Sequence, residues 1–164
     1  MDCKIRPAEV EDLSAIADIY NEAILTSTAT FDTEPRTLAE QGQWLRQHSH
    51  PCAVLVAIHG SEVIGWASLS PFRPKPAYRF TAEDSVYVRA DFQGKEVGTL
   101  LLARLLEVAA SNGFHTVVAL IDGDNEASVR LHGRFGFQEV GRELEVGHKF
   151  GRWLDVVVMQ KTLA

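Results

Sequence analysis

The sequence predicts a single α/β domain built on a mixed central β-sheet flanked by helices. Three observations carry that expectation. A chain of 164 residues with 46% apolar content is long enough to bury one substantial core. Segments of strand period and helix period succeed one another with no internal repeat and no low-complexity linker, so residues 1–164 read as one domain. Their order, β-α-α-β-β-β-α-β-α-β-β, is too irregular for a doubly wound parallel sheet, in which strands and helices alternate strictly.

The elements follow in chain order. Lys4 to Arg6 is a short strand, and Pro7 to Asp12 leads into a helix whose apolar positions Leu13, Ile16, Ile19, Tyr20, Ala23 and Ile24 recur at helical spacing. Thr26 to Pro35 is a polar loop holding one large apolar residue, Phe31. A second helix spans Thr37 to His48, with Leu38, Trp44 and Leu45 expected to face inward. Cys52 to Ile58 and Glu62 to Ser70 are strands joined by the hairpin signal His59-Gly-Ser. A proline-punctuated loop, Pro71 to Tyr78, precedes the strand through Ser85-Val-Tyr-Val88. A helix begins near Gly98 and runs to Ala110. His115 to Ile121 is an apolar strand, Glu126 to Phe135 a short helix stopped by Gly136, and Phe137 to Glu145 and Trp153 to Lys161 are the last two strands.

Composition narrows the partners. No apolar run approaches the roughly 20 residues that span a bilayer, and Met1 to Arg6 lacks the apolar segment of a secretory signal, so a cytosolic protein with no membrane partner is expected. A net charge of −6 argues against general affinity for nucleic acid, which needs a basic face. Cys3 and Cys52 match no metal or redox spacing and are expected to be buried thiols; no metal is expected.

The segment Gln93-Gly-Lys-Glu-Val-Gly-Thr99 joins a strand to a helix. Amides at a helix N-terminus have no partner within the helix, the dipole there is positive, and glycine admits a close ligand. Such a loop suits a pyrophosphate, although glycines also serve simply to turn a chain.

The order of elements, the strand Ser85 to Val88, the loop Gln93 to Gly98 and the later stretch Asn125-Glu-Ala-Ser128-Val-Arg-Leu-His132-Gly-Arg-Phe-Gly136-Phe137 together resemble the GNAT acyl-CoA N-acetyltransferase superfamily over nearly the whole chain. Thr26-Ser-Thr-Ala-Thr-Phe31, Phe80-Thr-Ala-Glu83, Ser128 to His132 and Lys149-Phe-Gly-Arg-Trp-Leu-Asp155 resemble the branch that acetylates phosphinothricin and methionine sulfoximine. The resemblance implies acetyl-CoA as co-substrate, its pantetheine along Val86, Tyr87 and Val88 with help from Asn125, and its pyrophosphate over Gln93, Gly94, Lys95, Glu96, Val97, Gly98 and Thr99. One residue departs from the pattern: Glu96 stands where the family writes its first glycine. Its charge is expected to weaken cofactor binding without abolishing it, with Lys95 as a neighbour able to offset it.

Transfer to an amine needs a group to take the ammonium proton, a proton for the departing thiolate and an N–H donor for the oxyanion. Glu83 is the candidate base. Strand alternation sets Glu83, Ser85 and Tyr87 on one face and Asp84, Val86 and Val88 on the other, which puts Asp84 on the wrong side. His132 stands where many superfamily members place a tyrosine that protonates the thiolate; its imidazole can serve as acid, base or orienter near neutral pH, or be a half-buried histidine bonded to backbone. For the substrate, Arg73, Lys75 and Arg79 supply cationic donors while Phe31, Phe72, Tyr78 and Phe80 supply wall, unless the loop is simply a solvated surface. The Lys149 to Asp155 stretch has no catalytic logic of its own; by resemblance it links the last two strands in a homodimer, where Trp153 packs either at the interface or in the core. A small-molecule amino-acid N-acetyltransferase is the expected function. Acetylation of a peptide or other amine, and an acyl-CoA-binding regulator without turnover, are the alternatives, the last supported by Glu96 alone.

Overall fold

A computed structural model describes residues 1–163. Seven strands form one sheet: β1 (Lys4–Pro7), β2 (Ala53–His59), β3 (Glu62–Pro71), β4 (Thr81–Val88), β5 (Thr116–Asp122), β6 (Gln138–Lys149) and β7 (Arg152–Thr162), in the spatial order β1-β2-β3-β4-β5-β7-β6. Four helices cover it: α1 (Leu13–Thr26), α2 (Leu38–Gln47), α3 (Val97–Ser111) and α4 (Glu126–Arg134). All strand pairs are antiparallel except β4–β5, which is parallel and short, joining only Thr81 to Glu83 with Thr116 to Val118. Beyond Glu83 the two strands part. The facing edges of β4 and β5 therefore lose their ladder midway through the sheet, and a cleft opens between them.

The core lies on both faces. Against one face α3 buries Leu101, Leu102 and Leu105 upon Ala67, Leu69 and Ala82; against the other α1 buries Ile16, Ile19 and Ile24 upon Val54, Val56 and Trp66. Register assigns the β4 side chains. Ser70, Ser68 and Trp66 stand opposite Glu83, Ser85 and Tyr87, so that set shares the α1 face with Trp66. Asp84, Val86 and Val88 take the α3 face.

Local chemistry explains the element ends. Thr37 and Glu40 form a reciprocal capping box that starts α2. The Phe150–Gly151 turn, with φ of 51° and 72°, has the two left-handed residues that suit a tight hairpin between right-twisted strands.

Two expectations about these elements need correction. Leu38 is 58% exposed; the buried residues of α2 are Gln41 and Gly42, with Trp44 and Leu45 partly covered. Its stripe is inward only where neighbours cover it, and the first turn stands clear. β6 runs on to Lys149 where the expectation stopped at Glu145, because it passes two bulges, between Glu139 and Gly141 and between Glu143 and Gly147, which break the alternation on which a strand is recognised; β7 gains only Arg152 and Thr162. Cys52 is buried and Cys3 half-buried, and both thiols are free, their pKa values raised chiefly by burial.

Candidate active site

Two cavities meet where β4 and β5 separate. The larger, about 870 Å³, runs along Val86, Tyr87 and Val88, past Gln93 and Gly94, over Glu96, Val97, Gly98 and Thr99, and reaches Asn125. The smaller, about 310 Å³, contains Tyr20, Thr30, Phe31, Glu83, Asp84 and His132. Ala29, Val86, Tyr87, Asp122, Asn125 and Ser128 line both, so a molecule lying in the groove can present one end to the smaller chamber.

The groove has the features a nucleotide-bearing thioester needs. Among the described residues the β5-facing edge of β4 has no strand beside it beyond Glu83, which leaves main-chain groups of Val86 to Val88 for an extended ligand. At the start of α3, the amide of Leu100 is the first to find an intrahelical acceptor, the carbonyl of Glu96. The preceding amides sit at the positive end of a 15-residue helix whose first residues line the groove. Asn125 Oδ1 accepts from the Ser128 amide at 3.1 Å and so caps α4, whatever else it binds. Lys95 does not line the groove; its ammonium lies over the Phe92 ring at 5.0 Å.

Glu96 has φ of 65°, a left-handed conformation in which glycine carries no penalty. The geometry thus accounts for a glycine in the family pattern at this position. Its carboxylate is engaged by Arg134 at 3.3 Å rather than by Lys95, and hydrogen bonds from Thr99 and Arg134 lower its pKa. Glu96→Gly relieves the backbone and removes a fixed negative charge from the groove. The expected result is a severalfold lower Kd for acetyl-CoA by titration calorimetry; an unchanged or higher Kd would show that Arg134 already neutralises the site.

Glu83 is half-buried in the smaller chamber, and its carboxyl is held above the usual carboxylate range by burial and by the neighbouring charge of Asp84. His132 is 4% exposed. Its Nδ1 lies 2.8 Å from the Ser128 carbonyl oxygen, and its Nε2 lies 2.7 Å from Asp84 Oδ2. Burial alone would lower the imidazole pKa, but the hydrogen bond and charge of Asp84 outweigh it and the net direction is upward. Asp84 was set aside by strand alternation. It does lie on the opposite face from Glu83, yet the parting of β4 from β5 lets both faces reach one chamber.

The wall beside Phe31 is tied down from several directions. The Tyr20 hydroxyl bonds Thr30 Oγ1 at 2.9 Å and donates to Asp32, and burial with the Asp32 bond pushes its pKa up to about 12. The Tyr87 hydroxyl donates to the Ala29 carbonyl at 3.3 Å, and the Thr28 hydroxyl donates to Asp122. Lys149, 5% exposed, donates to the carbonyls of Ser27 and Thr30, each at 2.8 Å. Phe31 packs so tightly on Gly147 that a Cβ there would collide with the ring. Nothing in the sequence pattern pointed to Lys149 or Gly147 as supports of this loop.

Arg73, Lys75, Tyr78 and Arg79 line neither cavity. Arg73 donates to the Tyr78 hydroxyl at 3.2 Å and covers the Phe72 ring, while Arg79 covers Phe80. They lie on the connection from β3 to β4, at the end of β4 that carries Glu83. Trp153 is 63% exposed and belongs to no core cluster, which removes the core reading for this chain.

A sheet parted beside a helix N-terminus, with carboxylates and a histidine at the junction, suits transfer of a group carried on a long phosphorylated arm. Residues 16–137 match the Acetyltransferase (GNAT) family, and the chain belongs to it. It is an acetyl-CoA-dependent N-acetyltransferase. It is 42% identical to a phosphinothricin N-acetyltransferase of Streptomyces coelicolor, over 98% of this chain and 96% of that one. It is 43% identical to an L-methionine sulfoximine/L-methionine sulfone acetyltransferase of Pseudomonas aeruginosa, over 99% and 96%. A phosphinothricin acetyltransferase structure from Sinorhizobium meliloti in complex with AcCoA superposes with a TM-score of 0.96 at 36% identity, covering 100% of this chain and 90% of that one.

Proposed function

We propose that the enzyme acetylates the α-amino group of a small amino acid with a polar tetrahedral tail, of which phosphinothricin and methionine sulfoximine are the representatives. The chamber carries this reading: about 310 Å³ of space walled by Tyr20, Thr30 and Phe31 suits a single amino acid rather than a length of peptide. The names of the relatives in Streptomyces coelicolor and Pseudomonas aeruginosa point the same way.

In this reading Val86 to Val88 and Asn125 hold the pantetheine arm, and the amides from Gln93 to Thr99 hold the pyrophosphate. Bound there, acetyl-CoA supplies an activated acyl carbon. Glu83 takes a proton from the substrate ammonium, which its raised pKa favours, and frees the nitrogen lone pair. A main-chain N–H on the exposed β4 edge stabilises the oxyanion. Arg73, Lys75 and Arg79, with Tyr78, act from the rim on the anionic groups of the substrate. A second copy covers the exposed apolar face of the β6–β7 hairpin, where Val140, Leu144, Val146, Phe150 and Trp153 are each more than half exposed. The enzyme works as a homodimer in the cytosol, and a monomer on sedimentation would remove the dimer.

Thiol release from acetyl-CoA tests the substrate, comparing L-phosphinothricin and L-methionine sulfoximine with ordinary amino acids, polyamines and a peptide. Selective turnover of the first pair is expected. Turnover of the peptide alone would replace this substrate class while leaving the acetyl transfer in place.

A further inference from the structure

Asp84 is more completely enclosed than any other carboxylate in the chamber, and half of it is unused. Its side chain is 1% exposed, and the residue is one of those that line the cavity. Oδ2 lies 2.7 Å from His132 Nε2, whereas Oδ1 is buried and has no hydrogen-bond partner among the described residues. Leaving a buried carboxylate oxygen without a donor is costly, and folded proteins rarely do so away from sites of function.

The protons of the pair follow from its neighbours. His132 Nδ1 faces the Ser128 carbonyl, which can only accept, so Nδ1 carries hydrogen. One further proton lies between Nε2 and Oδ2. Asp84 and His132 are thus a buried pair with no net charge, whose remaining acceptor is Oδ1.

We propose that Asp84 is a catalytic residue in its own right, whose free Oδ1 takes the second proton of the amine and passes it to the departing thiolate. The idea rests on the reading of the site proposed above, in which Glu83 is the first base. An ammonium substrate must lose two protons to become an amide N–H. Glu83 takes the first; the nitrogen lone pair then forms the C–N bond, and the carbonyl π pair moves to oxygen. When that pair returns, the C–S bond breaks and its electrons leave on sulfur. The second proton moves from nitrogen to Asp84 Oδ1 and on to sulfur, giving neutral thiol and amide, and the pair ends as it began. His132 bonds the other oxygen of Asp84 throughout and holds the carboxylate in place.

The rival account makes Asp84 a positioning residue that acts only through His132. Asp84→Asn, His132→Gln and the double variant separate the two, assayed with whichever amine the native enzyme turns over. Asp84→Asn keeps the shape of the side chain and cannot carry the proton. Its kcat is expected to fall about 30-fold or more, with acetyl-CoA Kd by calorimetry and melting temperature close to native. In the His132→Gln background the same substitution is expected to cost at least tenfold more. A double variant as active as His132→Gln alone, or an Asp84→Asn enzyme with native kcat, overturns the proposal. Should Asn disturb folding, Asp84→Ser carries the same comparison. A native enzyme silent toward every amine would instead strike the function on which the proposal rests.

Discussion

Glu83→Gln lowers kcat by about 10²–10³-fold, the range for losing a positioned general base, and leaves the KM for acetyl-CoA within twofold. Glutamine keeps the length and polarity of the side chain but cannot accept the ammonium proton. Burial and the charge of Asp84 raise the pKa of Glu83, so the native enzyme loses kcat/KM as pH falls through a value above the ordinary carboxylate range. That acid limb disappears in the variant. The same shift predicts the stability. A carboxyl whose folded pKa is raised contributes stability that is fully present below its unfolded pKa and lost as pH rises through the folded one. At neutral pH the ionised Glu83 is therefore a burden on the fold, and the Gln variant melts at or above the native temperature. An inactive variant that also melts early would point to damaged packing; an active variant with the acid limb intact would move the base elsewhere.

Much of the fold was legible because it rests on local patterns. Ile16, Ile19, Tyr20 and Ile24 recur at helical spacing and are buried as that spacing demands. Thr37 and Glu40 mark a helix start within four residues. Gly60 at φ of 61° makes the β2–β3 turn that His59-Gly-Ser signalled. The resemblance supplied what local pattern could not, since residues of β4, α3 and α4 share a cavity only through the topology of the sheet. What stayed hidden depends on contacts distant in sequence. Alternation placed Asp84 and Glu83 on opposite faces correctly, but the end of β4–β5 pairing at Glu83, which lets both enter one chamber, leaves no mark on either strand. Arg134 lies 38 residues from the Glu96 it pairs with, whereas Lys95, adjacent in sequence, turns to Phe92 instead.

Lys149→Met shows how far such distant contacts reach. Lys149 is separated by 122 and 119 residues from Ser27 and Thr30, whose carbonyls it binds. Burial lowers its pKa, but a lysine of either charge state donates N–H, so both bonds persist across neutral pH. Methionine retains the apolar stem and removes the donors, leaving two enclosed carbonyl oxygens without partners at about 1–3 kcal/mol for each such group. Since one of the two is only partly buried, the expected loss is about 2–3 kcal/mol, a fall in melting temperature of roughly 5–10 °C for a domain of this size. The consequence for activity is selective. Thr30 and Phe31 wall the chamber alone, Ala29 lines chamber and groove, and Ser27 and Thr28 line the groove, whose opposite stretch at Gln93, Gly94 and Glu96 to Thr99 the substitution does not reach. A loosened 27–31 loop should therefore raise the amine KM tenfold or more and the acetyl-CoA Kd only a few fold, since the loop is one wall of the groove but most of the chamber's side wall. Equal weakening of both ligands would mean that the substitution disturbs the sheet as a whole. Early melting with an unchanged amine KM would mean that Tyr20, Tyr87 and Asp122 hold the loop without help from the β6–β7 hairpin.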